Sequence, residues 1–256
     1  MNFLRTSLLR IRHFNNSFLV LEASGKKIVC DPWLEFANYG GWYGYPVINK
    51  SSVLPTFSEV DYIYISHIHD DHLCIPFLKE IFSVNQHINI IIKKFPYRFM
   101  ADRIKKIGFL NVIELEPFEW FELGVDISVC VIPQMTSNAR NLDDQVDFDI
   151  DTSIIFRAEG ITFFNSVDNP LTLDDFGYVK DFVARTVGSE IDVAALNCGA
   201  ASEWPQCFMY PDRAKRKESF VKAELERFAS VVEILKPSLI ISAGGQYVIP
   251  GRYHTL

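Results

Sequence analysis

No two cysteines in this sequence have the Cys-x-x-Cys spacing. The five that exist, Cys30, Cys74, Cys130, Cys198 and Cys207, are scattered along the chain. An odd, dispersed set suits reduced, mostly buried thiols in a cytoplasm rather than a disulfide framework. No apolar run approaches the length of a membrane-spanning helix. Met1 to Leu9 has neither the long apolar core nor the small-residue cleavage site of a secretory signal, so the expectation is a soluble cytoplasmic protein. Basic residues are also in deficit: 25 Lys and Arg against 32 Asp and Glu leave a net charge of −7. Nucleic-acid binding through phosphates needs a basic face, and this balance does not offer one. Repeats, low-complexity tracts and Ser/Gly linkers are missing too, which leaves one domain over residues 1–256 as the expectation.

The chain does have apolar material for a large core, at 48% hydrophobic residues. Leu8–Phe14, Phe18–Glu22 and Lys27–Cys30 read as strands punctuated by Asn15-Asn16 and Ser24-Gly25, which are turn chemistry. An aromatic, glycine-rich loop follows from Phe36 to Pro46, then a strand at Val60–Ser66. Ile88–Ile92 is a further strand, and a helix is expected from Pro96 to about Ile107. Strands are expected again at Asn111–Leu115, Phe118–Leu123, Val125–Ile132, Thr152–Ala158, Ile161–Asn165 and Asp192–Asn197. The clearest helix runs from about Asp212 to Leu235, with Val221, Leu225, Phe228, Val232 and Leu235 on one face, expected to pack on the domain's own sheet. Leu239–Ser242 is a last strand. This order suggests layered α/β architecture, with two sheets face to face and helices outside.

Asp61–Leu73 reads DYIYISHIHDDHL, with three histidines and two aspartates in six consecutive positions after an apolar strand. Imidazole and carboxylate are the usual ligands of zinc, iron and manganese. His67 and His69 lie two apart, so an extended backbone points both to one side. Asp71 and His72 follow where the chain turns into a helix ending near Phe82, and the turn can aim them at a second metal. Burying so many polar groups without partners would be costly, so a metal site is the better account.

His-x-His-x-Asp-His after an apolar strand resembles the signature of the metallo-β-lactamase superfamily. The resemblance implies a four-layer αββα sandwich with metals at the sheet edges. Ile28–Leu34 (IVCDPWL) looks like the early Asp-Pro turn of the branch that includes ascorbate-phosphate lactonase and N-acyl-phosphatidylethanolamine phospholipase D. Phe164–Pro170 (FNSVDNP) looks like the later element that supplies a bridging aspartate, here Asp168. DPWLEFANYGGWY, NCGAASEWPQCF and SAGGQYVIPGRYHTL are similar to the metallo-β-lactamase-like part of CMP-N-acetylneuraminate hydroxylases. That family also carries a Rieske iron–sulfur domain, whose paired Cys and His ligands have no counterpart here, so the oxygenase chemistry does not carry over.

The superfamily pattern adds one histidine before the bridging aspartate and another near the C-terminus. Phe118–Asp151 contains none, and the place after Ile127–Ile132 reads Pro133-Gln134-Met135-Thr136-Ser137. Ser242–Gln246 has none either. His254 reads as a surface residue and His13 as a weak site candidate. Each metal is therefore expected to be short of a protein ligand, with water, an amide or substrate filling the gap.

These features together predict a metal-dependent hydrolase. A metal-bound hydroxide would attack a carbonyl or phosphoryl centre of a small anionic substrate, and the resemblance adds a sugar or nucleotide-sugar preference. His67 and His69 would hold one metal, Asp71 and His72 the other, with Asp168 bridging and Asp71 also handling the proton. The cofactor is expected to be one or two divalent ions, zinc first, with iron or manganese as alternatives. Trp42 and Tyr43 are candidate pocket walls. Arg213, with Lys215, Arg216 and Lys217, crowds a helix start where an anionic ligand would relieve the opposed dipole; a solvated face is the alternative. Glu203, Trp204, Cys198 and Cys207 are candidates for the same cleft, the cysteines as buried thiols. The rival readings are a non-catalytic binding protein with an incomplete metal site, and an iron-dependent oxygenase-like component served by a separate redox partner.

Overall fold

A computed structural model describes residues 9–135, 151–199, 212–245 and 247–248. Strands β1 (Arg10–Asn15), β2 (Phe18–Ala23) and β3 (Lys26–Cys30) form an antiparallel meander. The first turn places Asn16 at φ +41°, a conformation asparagine tolerates. The aromatic loop holds two short paired strands, β4 (Phe36–Ala37) and β5 (Trp42–Gly44), and helix α1 (Lys50–Val53) follows. Then β6 (Tyr62–Tyr64), α2 (Ile75–Val84), β7 (Asn89–Lys93), α3 (Phe99–Ile107) and β8 (Val112–Leu115) alternate. Helical crossovers make β3, β6, β7 and β8 parallel, in a sheet ordered β1-β2-β3-β6-β7-β8.

The second half builds a second sheet. Strands β9 (Trp120–Gly124), β10 (Ile127–Pro133), β11 (Thr152–Ala158) and β12 (Ile161–Asn165) are antiparallel neighbours. Helix α4 (Leu173–Val187) crosses to β13 (Val193–Asn197), and α5 (Arg213–Leu235) crosses to β14 (Leu239–Ala243). These last strands are parallel, giving the order β14-β13-β12-β11-β10-β9. A short β15 (Tyr247–Val248) pairs back onto β5.

Period-two alternation explains why the strands read as unbroken apolar runs: both faces of each sheet are covered. Tyr64, Ile91, Val129, Val131, Ile154, Phe156 and Phe163 point between the sheets. Ile63, Ile90 and Ile92 point the other way, onto Phe77, Leu78 and Ile81 of α2 and Ile104 of α3. Cys130, Ile132, Ile155 and Phe164 meet Phe176, Val179 and Val183 of α4 and Leu235 of α5. Helix, sheet, sheet and helix are stacked in that order, the four-layer αββα sandwich. Among the described residues, no helix is long and apolar enough to cross a membrane.

Two helices depart from expectation. No helix was expected at Leu173–Val187, yet Thr172 and Asp175 cap its start reciprocally and Gly188 closes it in the left-handed region. In α5 only the C-terminal half of the apolar stripe packs: Leu235 is buried and Phe228 and Val232 partly so, against the layer containing α4. Val221 and Leu225 are 47% and 65% exposed, because the helix outruns the surface on which it lies.

Gly108 ends α3 at φ +128°, and a Cβ there would come within 2.4 Å of Phe82 Cζ. Phe82 is itself wedged edge-on against Phe109. Gly108→Ala is therefore expected to destabilise the protein by about 2–4 kcal/mol, combining backbone strain with overpacking. Urea denaturation measures this, and an unchanged midpoint would contradict it.

Candidate metal centre

The functional side chains gather where strands of both sheets end. Asp31 follows β3, with φ +41° immediately before Pro32, a strained position held by its bonds. It is fully buried. Its Oδ1 accepts the Ser66 N–H at 2.8 Å, and Oδ2 accepts the Ser66 hydroxyl at 2.7 Å and His72 Nδ1–H at 3.0 Å. The Ser66 hydroxyl, having donated to Asp31, accepts from His67 Nδ1 at 2.9 Å. One carboxylate thus fixes both tautomers and presents the Nε2 atoms of His67 and His72 as ligand atoms.

His67 Nε2 lies 2.9 Å from His69 Nδ1 and 3.4 Å from Asp151 Oδ1. His72 Nε2 lies 3.1 Å from Asp168 Oδ2 and 3.4 Å from Asp71 Oδ2. Two groups converge within 4.8 Å, His67/His69/Asp151 and His67/His72/Asp168, and either can hold a metal ion. The donors fit: two imidazoles and a carboxylate in each, with His67 and His72 buried and already oriented. Asp151 is brought to the site by the start of β11. Thr152 donates to the Ser66 carbonyl at 2.7 Å and meets the Tyr64 hydroxyl at 2.6 Å.

Electrostatics follow from burial and neighbours. Burial, with His72 and His69 adjacent, holds His67 well below the usual histidine range, so it is neutral at pH 7. Burial opposes charge on His72 as well, but Asp71, Asp168 and Asp31 outweigh it and raise its pKa well above the ordinary value. Burial likewise opposes ionisation of Asp71, and the adjacent His72 reverses this and holds the carboxyl low. That suits a permanent anion better than a proton carrier at neutral pH.

Of the expected residues, His67, His69, His72 and Asp168 converge, and Asp71 stands beside the second group without being one of its three donors. Asp151 was not expected. Its place just ahead of a strand was the available signal. Trp42 is turned inward, stacked on Tyr247 at 4.5 Å, and anchors the loop to the core rather than lining a pocket. Tyr43 points outward, in register with Phe36 and Val248. Arg213 begins α5, and its side chain lies outside the described residues, as do Glu203, Trp204, Cys207 and His254. Arg216 of the same cluster pairs with Asp212 at 2.7 Å. His13 reaches the site indirectly, through the Asn16 carbonyl at 2.8 Å. Cys198 is exposed rather than buried. Cys74 and Cys130 are buried, and burial pushes both thiols up to about 12.

Residues 10–158 match the family described as "Beta-lactamase superfamily domain". Among curated proteins, a Mycolicibacterium smegmatis protein named as a Rieske 2Fe-2S iron–sulfur protein is 26% identical over 211 residues, 81% of this chain and 37% of that protein. The cytidine monophosphate-N-acetylneuraminic acid hydroxylase of Mus musculus is 28% identical over 253 residues, 94% of this chain and 39% of the hydroxylase. The chain thus spans about two-fifths of the length of these relatives. Among solved structures, the diiron β-hydroxylase CmlA of Streptomyces venezuelae superposes with a TM-score of 0.61 at 16% identity, over 93% of this chain and 45% of that one. That likeness is one of fold.

Proposed function

Since the chain belongs to the metallo-β-lactamase superfamily, we propose that it is a metal-dependent enzyme of the hydroxylase type, acting on a small anionic substrate. The observation that carries this reading is Asp151 beside His67 and His69. With it the centre offers three imidazoles and, counting Asp71, three carboxylates, a balance that suits iron or manganese more than zinc. Two imidazoles and a carboxylate with open positions are the donor pattern of non-haem iron oxygenases. The likeness to CMP-N-acetylneuraminic acid hydroxylases supports a nucleotide-sugar substrate class.

When bound, iron would supply dioxygen activation, with electrons from a separate redox unit. The protein's own residues orient the donors: Asp31 and Ser66 set the tautomers, and Thr152 ties the strand carrying Asp151 to the strand end carrying His67. Tyr43 is one of the exposed aromatics of its loop that could meet a sugar or base. The reading also includes a cytoplasmic setting and no nucleic-acid partner.

Hydrolysis is the second reading. It is favoured by the same donor set, because two imidazoles and a carboxylate also hold hydrolytic zinc. The two are separated by the origin of the oxygen added to product. Protein expressed with supplemental iron is reduced and incubated with nucleotide sugars, lactones, amides and phosphodiesters under ¹⁸O₂ or in H₂¹⁸O. Label from ¹⁸O₂ is expected. Label from water alone would replace hydroxylation with hydrolysis, and no product with either would remove both.

A further inference from the structure

Asn16 and Asn197 stand against the Gly244–Gly245 turn, and each gives an amide N–H to an acid of the centre. Asn16 is buried in the turn between β1 and β2. Its Nδ2 donates to Asp71 Oδ2 at 3.1 Å, while its Oδ1 accepts the Gly245 N–H at 2.9 Å. Its main-chain carbonyl accepts the Gly244 N–H at 3.0 Å. Asn197 closes β13. Its Nδ2 donates to Asp168 Oδ1 at 2.7 Å, and its Oδ1 accepts the Gly199 N–H at 2.9 Å. Each amide is thus used at both ends, its oxygen turned to backbone and its nitrogen to a carboxylate.

The glycine turn is shaped by this packing. Gly244 sits at φ +79°, where a Cβ would fall 2.9 Å from Asn197 Cγ. Gly245 sits at φ +74°, where a Cβ would fall 2.8 Å from Gly199 Cα. Gly244 and Gly245 themselves offer the centre no side chain.

We propose that Asn16 and Asn197 are positioning residues that clamp Asp71 and Asp168 with neutral donors, fixing the carboxylate of the second donor group and the one that stands beside it. With Asp168 Oδ1 tied to Asn197, Oδ2 is the oxygen that faces His72 Nε2. The donors carry no charge, so both acids keep theirs for a cation. This inference rests on the metal-centre reading above.

The test is cobalt(II) titration of the metal-free protein, followed by calorimetry and by the visible ligand-field spectrum. Asn197→Leu keeps the branched shape while removing the amide's donor and acceptor, and Asn16→Gly keeps the positive φ while removing the amide. Each variant is expected to weaken one of two cobalt-binding steps by about 10–100-fold, the usual effect of losing a partner of a metal ligand. The other step should hold, and the spectrum of the weakened one should change. Metal-free melting reports folding, and if Asn197→Leu does not fold, Asn16→Gly carries the test alone. Two unaltered steps in a folded variant would overturn the clamp and leave the metal centre standing. A wild type that takes up no cobalt would overturn both.

Discussion

His67→Ala is expected to cut metal content the most, because its Nε2 can serve whichever of the two groups is filled, with turnover falling by at least about a thousandfold as the metal's contribution to the barrier disappears. His67 belongs to both convergent groups. Without it, His69 with Asp151 and His72 with Asp168 are left as two-donor remnants. His69 belongs to one group only, so His69→Ala should retain about one equivalent. Elemental analysis after dialysis without chelator distinguishes these outcomes. Unchanged metal content in His67→Ala would exclude it as a ligand. Because His67 is fully buried and neutral, the substitution also leaves a cavity, and folding should be verified on the metal-free form.

Asp31→Ala should have the largest effect on stability, about 3–5 kcal/mol, because a buried ion pair loses one partner and three donors lose their acceptor. For a chain of this size that is a fall in melting temperature of roughly 10 °C or more. Asp31→Asn keeps one acceptor oxygen and should lose less. The pH dependence has a definite sign. The folded pKa of His72 is raised, so its protonated form stabilises the metal-free protein fully below its ordinary value of 6.5. That contribution is lost as pH rises through the folded value. Removing Asp31 lowers the folded value, so in the variant the decline should be smaller and complete at lower pH. Thermal melts of metal-free protein between pH 5 and pH 9 test both points, and equal melting of wild type and Asp31→Ala would exclude the role.

The layered architecture was legible because strands buried on both faces are continuous in β-branched and aromatic residues, as Ile90 to Ile92 are. His67, His69, Asp71 and His72 announced themselves by local spacing, and Asp168 through a resemblance. Asp151 did not, because a carboxylate does a histidine's work only once β11 carries it to His67. Helix α4 hid behind Gly177 and a mixed stripe of Phe176, Val179, Phe182 and Val183, although the Thr172–Asp175 capping pair was there to be read. Trp42 and Tyr43 are adjacent yet face opposite ways, and the inward face is defined by Tyr247, some two hundred residues later. Asn16 read only as turn chemistry, since both its acid and its glycine partners are distant in sequence.

The donors and the residues that position them sit at one edge of the sandwich, in the turns after β1, β3, β6 and β12, just before β11 or at the end of β13, and none belongs to the three apolar clusters. Selection for folding and selection for chemistry therefore act on different residues. A lineage built on this chassis is free to exchange a histidine for an aspartate, or a ligand for a glycine, and still produce a folded protein. Asp31 is the tie between the two pressures: it holds the frame at Ser66 and aims the centre at His72, so it should be the last of these residues to drift.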